Sequence, residues 1–260
     1  MNQRWSYGRG SYRHDGEPID PADYDVCPLA GDALARAFVV EHHYSGSYPA
    51  ARWRFGLYWR GLLVGVAVFS HPASDQVLTR VFEIERATDA VELGRFVLAP
   101  EVPGNGETWF LARCLRALKR EGLAGVVSFS DPMKRTTARG VTVFGGHYGC
   151  IYQAGSALYL GRGRARTLRL LPDGSVLSER ALSKIRNSEQ GVDYAVGQLV
   201  RHGASPPGGD LGGWLAHWLP RLTRPVRHKG SLRYAFPLGR VRVLLPEQDY
   251  PKPPDLKELR

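Results

Sequence analysis

The sequence predicts a mixed α/β (α+β) fold, a mixed central sheet with flanking helices and a C-terminal helical and strand extension. An amphipathic helix over residues 107–120 stands between two apolar runs, residues 91–98 and 125–130, which together read as one βαβ unit. Two further apolar runs, residues 54–59 and 62–69, meet at a tight Arg60-Gly61 turn and read as an antiparallel hairpin. With 260 residues, 43% hydrophobic and 23% charged, the chain is long and apolar enough to bury a core, which excludes a wholly disordered protein.

Residues 1–31 are rich in Gly, Asp and Pro and are expected to form an irregular N-terminal arm. The next segment, from Asp32, reads as a helix with Asp32 as N-cap and Leu34, Phe38 and Val39 on one face, ending at Tyr44-Ser-Gly-Ser. After the hairpin and the strand at 91–98 comes a loop, Ala99-Pro-Glu-Val-Pro-Gly-Asn-Gly. The long helix follows, with Trp109, Leu111, Cys114, Leu115 and Leu118 as its apolar stripe. Glu107 in its first turn and Arg113, Arg116, Lys119 and Arg120 toward its end suit the helix dipole. Gly122 stops the helix, and Asp131-Pro132 breaks the strand after it. The core domain is expected over residues 32–161. Residues 162–260 form the basic extension: a strand near 167–171, a Pro172-Asp-Gly turn, helices at 178–186 and 192–202, a loop at 204–209, a strand at 232–236 and a Pro-rich tail.

Lys and Arg number 35 against 25 Asp and Glu, a net charge of +10 that favours an anionic partner. No apolar run reaches the roughly 18–20 residues of a membrane span, so no membrane partner is expected. The first fourteen residues carry Arg4, Arg9 and Arg13 without an apolar stretch, unlike a secretory signal. Cys27, Cys114 and Cys150 are widely spaced, which argues against a disulfide framework or zinc finger and for a cytoplasmic protein.

Five places hold chemistry-bearing residues. Pro103-Gly-Asn-Gly-Glu-Thr precedes a helix N-terminus, where small residues let backbone N–H groups approach a phosphate, but taken alone the segment reads first as an ordinary strand–helix connection. Asp131, at the C-terminal end of a βαβ strand, suits a general base or an Asp-Pro turn. Tyr148 and Tyr152 offer hydroxyls to a leaving group or oxyanion, or serve as half-buried core residues. His42 and His43 are adjacent and on a helix point about 100° apart, which favours a helix-end role over a metal site. Basic clusters at Arg162, Arg164, Arg166 and Arg169, at Lys134, Arg135 and Arg139, and across residues 221–233 suit a phosphate backbone or a solvated surface.

The ordered series His43-Tyr-Ser, Glu92-Leu-x-Arg95, Asn105-x-Glu-x-Trp-Phe-Leu, Ser128-x-Ser-Asp-Pro, Gly146-His-x-Gly-x-Ile-Tyr152-Gln-Ala, Tyr159-x-Gly, an Asp173-Gly turn and Lys229 with Arg233-Tyr-x-Phe-Pro-Leu resembles the Mom DNA-modification proteins of phage Mu and its relatives. These are divergent members of the Gcn5-related N-acetyltransferase (GNAT) superfamily, and the resemblance spans residues 32–238. It implies a GNAT-like core and a phage-encoded transferase, acting in the host bacterial cytoplasm. Its product would be an acetamido or carbamoylmethyl-type adduct on adenine N6 in double-stranded DNA, protecting against restriction. It implies catalytic roles for Asp131, Tyr152, Tyr44 and His43. Arg95, Val97, Asn105, Gly106, Glu107 and Thr108 would hold the donor, which is acetyl-CoA or another activated acyl or aminoacyl compound. DNA contacts are expected from Lys134, Arg135, Arg139, Arg162, Arg164, Arg166, Arg227 and Lys229. No metal is expected, the alternative being iron on His42, His43 and Asp131. Two departures stand out: the loop lacks the R/Q-x-x-G-x-G/A form of GNAT diphosphate loops, and a basic insertion at 133–145 separates the Asp-Pro and Gly-His blocks. The alternative reading is a GNAT N-acyltransferase acting on tRNA, a small amine or a protein; a non-catalytic DNA-binding protein comes third.

Overall fold

The computed structural model describes residues 2–6, 9–13 and 17–252. Strands β1 (Asn2–Ser6) and β2 (Arg9–Arg13) form a hairpin, and a single 3-10 turn leads to β3 (Tyr24–Pro28) and α1 (Asp32–His42). Then come β4 (Ala51–Trp59), β5 (Leu62–Ser70), α2 (Gln76–Thr79), β6 (Ala90–Leu98), α3 (Gly106–Arg120) and β7 (Gly125–Ser130). The chain continues through β8 (Arg135–Thr136), β9 (Thr142–Phe144), α4 (Cys150–Ala154), β10 (Leu158–Arg162), β11 (Arg166–Leu170) and β12 (Val176–Leu177). Helices α5 (Glu179–Arg186), α6 (Val192–Arg201) and α7 (Leu211–Leu222) precede β13 (Arg224–His228) and β14 (Leu232–Pro237). These elements form two compact units, residues 1–132, 147–163 and 231–260 in one and residues 133–146 and 164–230 in the other.

The first unit is a mixed α/β structure on a seven-stranded sheet of order β10-β14-β7-β6-β5-β4-β3. Among the described residues only β6 and β7 pair in parallel, because α3 carries the chain from the end of one back to the start of the other. The β4–β5 turn has both central residues at positive φ, Arg60 at 47° and Gly61 at 84°, which matches strand twist in a two-residue hairpin. Helix α3 buries Phe110, Leu111, Cys114 and Leu118 in the cluster that holds Phe55, Leu57, Phe69, Val91 and Leu93. On the opposite face α1 sets Ala35 and Val39 among Val66, Val68 and Val97. Asp32 ties α1 to the sheet, its Oδ1 lying 2.7 Å from Arg54 Nε and accepting from the Tyr48 hydroxyl at 3.0 Å.

Several details differ from the sequence expectation. The N-terminal arm is not irregular: it supplies the β1–β2 hairpin and β3, an edge strand paired along β4. Leu34 is 51% exposed and Ala35 is buried, a one-residue displacement that turns a helix face by about 100°. Gly31, not Asp32, is the N-cap, since the Asp32 carboxylate serves Arg54 and Tyr48. Phe110 replaces Trp109 in the α3 stripe, while Trp109 lies half-buried under the Arg113 guanidinium. A division at residue 161 does not follow the compact units, because β14 pairs between β10 and β7 and belongs to the first.

The second unit has its own core, in which Leu171, Leu177, Leu182, Ile185, Leu199, Trp214 and Leu215 bring α5, α6 and α7 together. Helix α7 and strand β13 had no sequence signal: Gly212, Gly213 and Pro220 disfavour a helix, and Pro225 breaks a strand pattern. The Asp210 cap on the Gly213 N–H and full register with β11 establish them instead. Among the described residues no helix is long and apolar enough to cross a membrane.

Gly149 sits at φ 74° just before α4, and a Cβ there would stand 2.4–2.8 Å from ring and hydroxyl atoms of Tyr234. Gly149→Ala is expected to cost about 2–3 kcal/mol in denaturant unfolding. A loss under about 0.5 kcal/mol would mean that the Tyr234 ring gives way and does not fix α4.

Candidate active site

The site begins with one extra residue in β6. Val68 pairs with Arg95 and Phe69 with Leu93, so Gly94 is bulged out of the ladder. Three residues apart on a regular strand, Glu92 and Arg95 would point to opposite faces. The bulge puts both on the α1 face, since their partners Ser70 and Val68 share that face. A Cβ at Gly94 would meet Ser70 Oγ at 2.4 Å, so a larger residue there would displace the Ser70 hydroxyl.

Just before the bulge the parallel pairing of β6 with β7 ends, Leu93 opposite Ser128 being the last pair. Both strands run on, and the sheet has an opening there. From the α1 side Arg95 reaches it, with Nε donating to Ser47 O at 2.8 Å and Nη2 to Ser47 Oγ at 2.7 Å. These bonds hold the Tyr44–Ser47 stretch beside β6, where Tyr44 acts on the Arg95 charge. His43 stacks on Tyr44 with ring centroids 4.3 Å apart and accepts the Ser45 N–H at Nδ1. The Glu92 carboxyl makes no hydrogen bond or ion pair among the described residues. Burial raises its carboxyl to about 7, with Arg95 nearby partly offsetting the rise.

From the other side come Ser128, Tyr152 and His147. Tyr152 is buried, hydrogen-bonded to the Ser128 side chain and within electrostatic reach of Arg95 and Tyr44. Burial pushes its hydroxyl well above the usual tyrosine range, so it stays protonated and acts as a donor. The His147 ring centroid lies 5.5 Å from that of Tyr152. His147 Nδ1 accepts the Gly149 N–H at 2.9 Å, which leaves the proton of the neutral ring on Nε2. Burial lowers its pKa to about 4 although Asp131 pulls the other way. The Asp131 carbonyl in turn accepts the His147 N–H at 2.6 Å.

Of the residues expected to be catalytic, Tyr152 and Tyr44 lie within electrostatic reach of Arg95, His43 stacks on Tyr44, and Asp131 lies beside His147. Glu92, Ser128 and His147 had no role assigned from sequence. A lone glycine within a strand pattern, Gly94, is the signal that would have found Glu92. Arg95, expected to hold the donor, spends its guanidinium on Ser47 and is a positioning residue. Val97 packs its side chain in the α1 cluster and offers only backbone.

The loop before α3 corrects a further expectation. Asn105 Oδ1 accepts the Ile19 N–H at 2.7 Å, its own N–H donates to Glu17 O at 3.3 Å, and the Gly106 N–H donates to Pro103 O at 2.9 Å. Thr108 Oγ1 donates to Asn105 O at 3.0 Å. Glu107, 4% exposed, is paired with Arg4, 2% exposed. Asn105, Gly106, Glu107 and Thr108 therefore bond within the protein, and a buried carboxylate stands at the helix N-terminus. The diphosphate of an acyl-CoA does not fit this arrangement.

Among the described residues no three His, Cys, Asp or Glu side chains are grouped as a metal site requires, so His42, His43 and Asp131 do not form one. His42 lies 3.7 Å from Glu41 instead. Arg135 is not a surface cation: it is buried, with its guanidinium 4.2 Å from the Phe144 ring centroid. Lys134, Arg139, Arg162, Arg164, Arg166, Arg227 and Lys229 are all exposed. The second unit contains fourteen Lys and Arg against five Asp and Glu, and so holds nine of the ten net positive charges.

Solved structures similar to this chain are N-acetyltransferases. The ribosomal-protein-S18-alanine N-acetyltransferase of Escherichia coli shares 11% identity, with 83% of this chain and 94% of that one covered and a TM-score of 0.35. An N-acetyltransferase of Staphylococcus aureus Mu50 shares 11%, with 83% and 99% covered and a TM-score of 0.38. N-acetylglutamate synthase of Neisseria gonorrhoeae, solved with coenzyme A and N-acetyl-glutamate, shares 11% at a TM-score of 0.34, with 85% of this chain and 36% of that one covered. No curated protein matches the chain. The Mom protein family matches residues 28–206, and the chain belongs to that family.

Two half-buried groups tie stability to pH in opposite directions. The unfolded Glu92 carboxyl loses its proton near 4.5 and the folded one near 7, so its contribution is complete below 4.5 and is lost as pH rises to 7. His147 does the reverse, its contribution being lost as pH falls from 6.5 to 4. Glu92→Gln is expected to gain stability relative to the parent as pH rises from 5 to 8, by an amount of order 3 kcal/mol. Denaturant unfolding at both pH values measures it, and an equal difference at both would refute the placement of Glu92.

Proposed function

We propose that this protein transfers a group from an activated acyl or aminoacyl donor to adenine N6 in double-stranded DNA, leaving an acetamido or carbamoylmethyl-type adduct that blocks restriction. The observation that carries the reading is the sheet opening at which Arg95 lies within electrostatic reach of both Glu92, whose carboxyl is raised to about 7, and Tyr152, whose hydroxyl stays protonated. Membership of the Mom family supports DNA as the acceptor, and so does the charge of the second unit. Adenine N6 is a poor nucleophile because its lone pair is delocalised, so its proton must leave as the new bond forms. In the transfer, N6 bonds to the donor's reacting carbon, the leaving atom departs with its electron pair, and the N6 proton passes to the Glu92 carboxylate. The Tyr152 hydroxyl donates a hydrogen bond to the charge that develops on the donor. Arg95 holds the Tyr44 loop in place, and Asp131 sits beside the neutral His147. N6 lies within a stacked base pair, so the base leaves the duplex to react.

Nucleoside mass spectrometry of plasmid DNA from cells expressing the chain tests this. A new deoxyadenosine derivative is expected with the parent protein, falling at least about 100-fold with Glu92→Gln and with Tyr152→Phe. Full modification by both variants would refute the assigned roles; modified tRNA nucleosides with unmodified DNA would establish the acyltransferase alternative. In a separate experiment, Arg166→Ala, Arg227→Ala and Lys229→Ala together are expected to weaken duplex binding and to flatten its dependence on log salt by about 0.9 per lost phosphate contact. An unchanged salt slope would exclude these three cations as phosphate contacts.

A further inference from the structure

We infer that the donor reaches the Glu92–Tyr152 site on a carrier without a nucleoside diphosphate, because the N-terminal hairpin occupies the place that would hold one. The inference rests on the transferase reading above and specifies its donor. A diphosphate docks at a helix N-terminus when backbone N–H groups, the positive helix end and nearby cations all face an open space. At α3 the cation and the Asn105 and Gly106 N–H groups are committed. The positive end is neutralised from within by the buried Glu107 carboxylate, which sits in the first turn. The cation is Arg4, delivered by β1. It pairs with Glu107 and donates from Nη2 to the carbonyls of Val102 at 3.0 Å and Pro103 at 3.2 Å. The Asn105 and Gly106 N–H groups donate to Glu17 and Pro103 carbonyls. The loop has also closed down on itself, since a Cβ on Gly106 would lie 2.4 Å from the Val102 side chain.

Beyond Leu93 the β7-facing side of β6 has no strand partner among the described residues. Strand β1, which brings Arg4, packs against β6 and α1. Admitting a diphosphate would bring negative charge beside Glu107 and draw Arg4 from its buried partner. Breaking a buried pair from one side lowers affinity by about a hundredfold or more.

Titration calorimetry of the full chain with coenzyme A tests the inference. No saturable binding is expected up to about 1 mM, and any tighter binding overturns it. Arg4→Ala combined with Glu107→Gln removes both buried charges together, and this variant is expected to bind coenzyme A at least about tenfold more tightly than the parent. Absence of any gain in a folded variant overturns the assignment to this ion pair. Hydrogen exchange on the unaltered chain needs no variant: coenzyme A is expected to leave the amides of residues 104–109 unchanged, and protection there overturns the inference. DNA modification is read separately by mass spectrometry. Its absence sinks the transferase reading and leaves these binding results standing, whereas coenzyme A binding sinks the donor claim alone.

Discussion

The site depends on a single inserted residue in β6. Because side chains alternate along a strand, one extra residue reverses the facing of everything beyond it. Leu93 and Phe96 belong to the cluster on the α3 side, while Val97 packs with α1. Glu92 and Arg95 consequently share a face that regular pairing would deny them. Ser70 Oγ stands where a side chain on Gly94 would begin.

Burial then sets the protonation of the site. Glu92, Tyr152 and His147 are each moved in the direction that favours the neutral form, and in each case desolvation is the largest cause. Arg95 is the cation among them, and its bonds to Ser47 prevent it from collapsing onto Glu92. A carboxyl held near neutrality can accept a proton from an amine, which one at its ordinary pKa does much less effectively. Tyr152 owes its place to α4, which begins at the left-handed Gly149 against the Tyr234 ring.

Charge is divided between the units. The first unit has its own core and is nearly balanced overall, while the second gathers most of the excess positive charge around a separate core. A sequence-independent grip on a phosphate backbone needs such density, whereas transfer chemistry needs a desolvated pocket with few charges. The buried ion pair of Arg4 and Glu107 belongs to neither task. It fastens the N-terminal segment over α3, and its long reach in sequence explains why no local pattern announced it.

The sequence by itself determined the elements whose signals are local. The β4–β5 hairpin follows from Arg60-Gly61 between apolar runs, and the β6–α3–β7 unit from helix periodicity flanked by strands. Asp131, Tyr152, His43 and Tyr44 take their catalytic assignment only from the ordered blocks that resemble the Mom family. Tertiary structure alone decided what depends on register and burial: the common face of Glu92 and Arg95, the neutral state of His147, the withdrawal of Arg135 beneath Phe144, and the closure of the α3 loop by Arg4. Strands β3, β10 and β13 and helix α7 belong with these, because their sequences lack a pattern of their own and take their conformation from a neighbour. The physical reason is the same throughout. Periodicity is written along the chain, whereas desolvation and pairing arise only when distant segments meet.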